Sequence, residues 1–327
     1  MSSSNSTIHA PQQPTQAEAH LEPFATVRRA FPGCAVLSFE ALRGGVSAGA
    51  TRLDLVLGDG SRKQVVVRRP THVNGSSLLP QGRAAAEYAV LHVAHAAGVA
   101  APRPCFLDPS GDSLVLDYVE GAPDLALPWS GSKLQQAAQE LARIHALSPI
   151  DADLSFLSKR WQSAEHMLKT WPVELDQSLN EGEIRRALSS SWPAPRNNRE
   201  VLLHGDYWPG NLVWRDEQLA AVIDWEEAEL GDALADLAIA RLDLLWAFGV
   251  EAMHEFTERY AALTELDWAA LPYWDLLVTL RPMSNLARWA SSYPLPPLNR
   301  PDIDDSAMQR GHSWFVEHAL QRLPRLQ

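Results

Sequence analysis

Between residues 201 and 226 the chain carries three short apolar runs, and the polar residues at their ends constrain the fold more than any other feature. The first run, Val201-Leu202-Leu203, leads into His204-Gly205-Asp206. Asn211 stands five residues after Asp206 and opens the second run, Leu212-Val213-Trp214. The third, at 220–223, ends in Asp224. Asp216-Glu217 separates the last two runs with turn-forming chemistry, so they should pair as a small hairpin. Pairing brings Asn211 and Asp224 to neighbouring strand ends, although Asp224 comes 13 positions after Asn211, and leaves Asp206 on a loop beside them. A lone Asp after a strand is usually a turn residue or a helix cap. Two carboxylates and an amide converging by topology are not explained that way.

The first third of the chain has the period of an antiparallel meander. Residues 35–42 form a candidate strand, followed by a glycine-containing turn, Gly44-Gly45-Val46-Ser47-Ala48-Gly49. Residues 52–57 alternate apolar and polar, Gly58-Asp59-Gly60-Ser61 reads as a hairpin turn, and 64–69 is rich in Val until Pro70 ends it. Residues 82–97 have helical spacing, with Tyr88, Leu91 and His95 on one stripe and Gly98 as the stop. Two more strands are expected at 103–107 and 113–119. Gly121-Ala122-Pro123 looks like a hinge, and beyond it the pattern is mainly helical, as in 133–147 with Leu134, Ala138, Leu141 and Ile144 in line, and in 233–248. Twelve tryptophans, concentrated in the helical part, read as core filling. The layout is α+β with two lobes: a tail at 1–20 that enters a helix near Thr15, a first lobe at 21–120 and a second at 121–327.

Composition narrows the function. The 327 residues are 46% apolar and 21% charged, as in a soluble globular protein, and no uninterrupted apolar run reaches membrane-spanning length. The N-terminus lacks the basic start and apolar stretch of a secretory signal, and Cys34 and Cys105 are too few for a disulfide framework or a cysteine-based zinc site; both point to the cytoplasm. A net charge of −12, with one short basic cluster at Arg62, Lys63, Arg68 and Arg69, argues against nucleic acid as a partner. Oligomeric state is not legible.

The convergent set suits phosphoryl transfer, in which a protein positions an acceptor and neutralises phosphate charge. Mg²⁺ takes hard oxygen ligands from one or two side chains, and Asn211 and Asp224 offer them. Asp206 could accept a proton from a substrate hydroxyl, while His204 is expected to hold the loop by hydrogen bonds. Two other readings remain open: a non-catalytic nucleotide-binding module, and a metal-dependent hydrolase using His204, Asp206 and Asp224. The hydrolase reading suffers from the lack of further histidines close by.

The stretch from His204 to Asn211 resembles the His-Gly-Asp-x-x-x-x-Asn loop of the aminoglycoside phosphotransferase and choline kinase group, whose fold is like that of protein kinases. Ile223-Asp224-Trp225-Glu226 resembles the group's metal-binding segment. The resemblance implies an ATP- and Mg²⁺-dependent kinase with Asp206 as catalytic base and Asn211 and Asp224 as metal ligands. It also implies that an aspartate of the segment Gly231-Asp232 to Asp236-Leu237-Ala238 ties down the catalytic loop. The turn containing Gly44, Gly45 and Ser47 looks like the phosphate-covering turn. Arg68 aligns with the nucleotide-phosphate cation, which is Lys in protein kinases; Arg69 and Lys63 are the neighbouring candidates. Glu87 fits the carboxylate that pairs with it, and Asp117, Tyr118 and Val119 resemble the hinge that meets adenine. His145 is expected to be a packing residue. The match covers about residues 35 to 240.

Only six residues separate Asp224 from Gly231, and no Ala-Pro-Glu follows, so no platform for an extended peptide is expected. The expected substrate is a small molecule such as an aminoglycoside, an amino alcohol or a sugar. Glu226, Glu227, Glu229, Tyr207, Trp208 and Trp225 are candidates for receiving it, and 302–305 reads as the cap of the last helix.

Overall fold

The computed structural model describes residues 16–42, 48–70, 82–149 and 153–323. Gly44, Gly45 and Ser47 lie outside the described residues. The chain opens with α1 (Gln16–Ala30) and then builds the expected meander: β1 (Ala35–Ala41), β2 (Ala48–Val56) and β3 (Arg62–Pro70). After α2 (Arg83–Ala96), β4 (Pro104–Leu107) and β5 (Leu114–Asp117) complete an antiparallel sheet of order β1-β2-β3-β5-β4.

The period-two alternation of a strand sorts this sheet into two faces. Leu53, Leu55, Val65, Val67 and Val115 pack with Val27 and Phe24 of α1, each fully buried aliphatic side chain contributing about 1.5–3 kcal/mol. Leu114 and Leu116 face the other way and join Val90 and Leu91 of α2 in the main core. Arg68 pairs in register with Leu114, and so it too points away from α1 and into the body of the molecule.

The hinge segment forms a strand, β6 (Ala122–Pro123). Gly121 has φ +138°, and a Cβ there would stand 2.5 Å from Trp214 O, so only glycine lets the chain pass this close. The expected hairpin consists of β8 (Leu212–Arg215) and β9 (Gln218–Val222), with β6 as its third strand. Its turn residues Asp216 and Glu217 have φ +49° and +62°, the double left-handed geometry that suits the twist of paired strands. The first apolar run, β7 (Val201–Leu203), pairs instead with β10 (Glu229–Gly231), a three-residue strand too short to show a period in the sequence.

The rest is helical: α3 (Gly131–His145), α4 (Arg160–Lys169), α5 (Glu181–Ser191), α6 (Ala233–Phe248), α7 (Val250–Ala261), α8 (Leu271–Val278), α9 (Leu286–Ala290) and α10 (Asp305–Arg322). α6 is buried on nearly all sides and forms the central rod against which α7, α8 and α10 pack. Asp304 caps α10 by accepting from Ala307 N at 2.7 Å, as its sequence suggests. Trp129, Trp161, Trp225, Trp246 and Trp274 are buried, in keeping with core filling. Among the described residues no helix is long and apolar enough to cross a membrane.

Inside the helical core, Arg241 of α6 makes two bonds to Asp275 of α8, at 2.9 and 3.1 Å, and both residues are fully buried. Arg241→Ala leaves the buried Asp275 carboxylate with the half-exposed Arg322 at 3.5 Å in place of two direct bonds, and a loss of about 3 kcal/mol is expected from the urea unfolding midpoint. The double change Arg241→Met with Asp275→Leu should recover most of that loss, because the buried pair has already forfeited its hydration.

Candidate active site

Asp236, in the first turns of α6, organises the site from below. Its carboxylate is completely buried and accepts from His204 N at 2.6 Å and Gly205 N at 2.9 Å. Gly205 has φ +83°, and a Cβ at this position would lie 1.9 Å from Glu227 O, so the His-Gly-Asp turn needs its glycine. Burial pushes the Asp236 carboxyl up, but His145, His204 and Arg160 outweigh it and hold the group below the ordinary carboxylate range. His145 bridges Asp236 Oδ2 at 3.3 Å and the Tyr260 hydroxyl at 2.6 Å, so it is a member of a buried polar network rather than a packing residue alone.

His204 carries the constraint onward. Burial lowers its pKa, so the ring is neutral. Asp206 N donates to Nδ1 at 3.2 Å, and Nε2–H therefore donates to Ile223 O at 3.0 Å. Ile223 N in turn donates to Asn211 O at 2.9 Å. This chain of bonds fixes the expected set side by side. Asn211 Nδ2 donates to Asp206 O at 2.9 Å and to Asp206 Oδ2 at 3.1 Å, which leaves Asn211 Oδ1 as the amide's acceptor for another partner. Asp224 follows β9 with φ +70°, a conformation uncommon for a side chain other than glycine.

From the sheet, Arg68 reaches across to this set. Its Nε lies 3.0 Å from Glu87 Oε1 of α2, and its second terminal nitrogen lies 2.7 Å from Asp224 Oδ1. The other two cations are elsewhere: Arg69 pairs with Glu22, and Lys63 with Asp117 at 2.5 Å. Glu87 is pushed up to about 7 by burial; Arg68 pulls it down, while Asp224 and Glu226 push it further up. Three carboxylates around one guanidinium leave negative charge to be neutralised. That charge, with the Asn211 amide oxygen and the Asp224 carboxylate beside it, fits a hard divalent cation held in part by phosphate. Among the described residues no cluster of three or more His, Cys, Asp or Glu side chains is arranged to hold a metal alone.

A cavity of about 450 Å³ opens over these residues. Arg68, Glu87, Asn211 and Asp224 line one end, and Val66, Leu91, Leu116, Val213 and Ile223 form apolar walls. Asp117, Tyr118 and Val119 line it too. The Asp117 carboxylate is taken up by Lys63, Arg103 at 2.7 Å and Cys105 Sγ at 3.0 Å, and the backbone N–H groups of Asp117 and Tyr118 donate to Arg103 O and Gln64 O. Pro296, Pro297 and Leu298 close the cavity from the C-terminal part, which no motif foreshadowed.

Arg281 is the functional candidate that sequence reasoning missed. It sits just past α8 and pairs with Asp206 Oδ1, while its other terminal nitrogen lies 3.7 Å from Asp243 Oδ2 of α6. Burial pushes the Asp243 carboxyl up to about 7, against the pull of Arg281 and with the push of Asp206. Neither residue belongs to a local motif, and Asp243 lies within a helix whose apolar content marks it as core.

A model of the phosphotransferase enzyme family matches residues 44–274. The chain belongs to that family. Its similarity to solved structures is a matter of fold: a macrolide 2'-phosphotransferase, MphH from Brachybacterium faecium, is 18% identical with TM-score 0.59, covering 94% of this chain and 99% of that one. The amicoumacin kinase hAmiN, solved with AMP-PNP, Ca²⁺ and Ami, is 15% identical with TM-score 0.62, covering 95% and 97%. Among curated sequences, mouse acyl-CoA dehydrogenase family member 10 is 29% identical over 209 residues, 55% of this chain. The chain spans only 18% to 34% of the length of the first curated relatives it matches.

The bilobal α+β fold of these phosphotransferases is thus the fold of this chain, and Asp236 anchors the loop that carries Asp206 and Asn211 within it. The stability contributed by that buried carboxylate is full above the ordinary carboxylate range and is lost as pH falls through its depressed pKa. Asp236→Asn should lower unfolding free energy by about 3 kcal/mol at neutral pH, because two buried N–H donors face an amide that can satisfy only one. It should also flatten the fall in stability below about pH 4, as read by denaturant titration across pH.

Proposed function

We propose that this phosphotransferase moves the γ-phosphoryl group of ATP, with Mg²⁺, to a hydroxyl of a small molecule. The observation that carries the reading is the meeting of Arg68, Asn211 and Asp224 at one end of an apolar-walled cavity, with Asp206 bonded to Asn211 just beyond it. The apolar walls suit a flat base, and the backbone at Asp117, Tyr118 and Val119 is the candidate for meeting its edge. Asn211 Oδ1 and the Asp224 carboxylate would hold the cation. When bound, Mg²⁺ neutralises charge on the β- and γ-phosphates.

The protein's own groups do the rest. Arg68, held by Glu87 through Nε and by Asp224 through one terminal nitrogen, would meet phosphate oxygens with its other terminal nitrogen. Asp206 accepts the proton of the acceptor hydroxyl as its oxygen bonds to the γ-phosphorus. The bond from that phosphorus to its bridging oxygen breaks, and ADP leaves with the electron pair. The AMP-PNP and Ca²⁺ named with hAmiN support a nucleotide and a divalent cation here. The six residues between Asp224 and Gly231 favour a small acceptor over a peptide. The dehydrogenase named in the mouse relative is not carried over, because the match covers 18% of that protein.

Asp206→Asn should cut phosphate transfer by about a thousandfold while leaving nucleotide affinity within about threefold, since the residue acts on the acceptor and not on the nucleotide. Asp224→Ala should abolish the Mg²⁺ dependence of nucleotide binding. ADP release against aminoglycosides, macrolides, amino alcohols and sugars measures the first, and calorimetry with a Mg²⁺ titration measures the second. A wild-type protein that binds no nucleotide, or an Asp206→Asn variant with full turnover, would remove the reading.

A further inference from the structure

We propose that the acceptor carries an anionic group, a carboxylate or a phosphate, and that Arg281 binds it; the inference rests on the kinase reading above and names its substrate class. Two oxygens of the proposed base have different fates. Asp206 Oδ2 accepts from Asn211 Nδ2, which leaves Oδ1 for a substrate hydroxyl. Oδ1 is instead held by Arg281. The acceptor can reach the base only if Arg281 shares or gives up that oxygen.

An anion supplies the reason to give it up. A guanidinium binds carboxylate and phosphate oxygens through a planar fork, with bonds about twice as strong as neutral ones. Arg281 and Asp206 each keep 26% of their side-chain surface exposed, so a ligand can approach the pair from solvent. The groups facing Arg281 are Asp206, Asp243 and the more exposed Glu227, and the ring of Trp289 lies 5.9 Å away. Asp243 is a weak rival for the guanidinium: it stands at 3.7 Å, and burial holds its carboxyl near 7. A ligand anion can therefore take the fork and free Oδ1 in the same movement.

A cationic acceptor has nothing to exchange with the guanidinium: it could pair with the surrounding carboxylates, but Arg281 would stay on Asp206 Oδ1. The acceptor of this chain is then a hydroxy acid or a hydroxyalkyl phosphate, and its arrival uncovers the base that acts on it.

The test uses the full chain with Mg·ATP and follows ADP release. Its probes are ω-hydroxy carboxylates of graded length, their primary amides, ω-hydroxyalkyl phosphates and ω-amino alcohols. Carboxylates or phosphates should exceed the matched amides and amino alcohols by at least about tenfold in kcat/KM, and the carboxylate and phosphate arms tell which anion is read. Arg281→Gln should collapse that ratio, with Arg281→Lys keeping part of it; a ratio within one variant is insensitive to how much of it folds. Equal or better turnover of amides or amino alcohols, a ratio that survives Arg281→Gln, or a panel in which no anion raises ADP release above the acceptor-free rate would overturn the proposal. If Asp224-dependent basal ADP release persists in those cases, only the substrate class fails; if it and nucleotide binding are both absent, the kinase reading fails with it.

Discussion

A carboxylate with no access to water, aimed at two consecutive backbone N–H groups, sets the coordinates of this site. The turn at His204 and Gly205 has no helix or strand of its own to absorb its amides, and Asp236 takes both. The order then spreads by hydrogen bonds of one kind, each short and nearly all shielded. His204 hands it to Ile223 and Asp206, Ile223 to Asn211, and Asn211 back to Asp206. Pre-organisation of this sort lets the reacting groups wait in position, so little reorganisation accompanies the chemistry. Arg68 joins the sheet to the same assembly through Asp224, and its guanidinium keeps its charge at any working pH.

Much of this was legible because it follows from local pattern. The two-residue turn at Asp216 and Glu217 announces the hairpin, and the hairpin implies that Asn211 meets Asp224. Alternation along β3 separates Arg68 from Val65 and Val67, and Arg68, Arg69 and Lys63 each have a different partner. Glu87 sits on the helix face that returns to this strand. What stayed hidden depends on contacts distant in sequence. Arg281 lies 75 residues after Asp206, in a turn without periodicity. Asp243 interrupts an apolar helix and looks like noise until its neighbour is known. His145 shows only a helical stripe, while its two polar partners come from α6 and α7.

The two sides of Asp206 differ in kind. Toward the cavity stand an amide, a carboxylate and a cation with its counter-charge, all inside the segment that the family model matches. Away from it, Asp243 comes from α6, inside the segment the family model matches, and Arg281 from the chain just beyond that segment. If the proposed roles hold, nucleotide chemistry and acceptor choice would sit on different segments of one fold.

The hairpin between Asn211 and Asp224 acts as a ruler. Its two-residue reversal, together with one bulge where Ala220 is the extra residue opposite the Val213–Trp214 step, sets the pairing from Leu212 with Val222 to Arg215 with Gln218. Losing or gaining one residue there would slide one strand past the other and send every second side chain to the wrong face. These few residues must therefore keep their count for Asn211 and Asp224 to stay side by side at the cavity end.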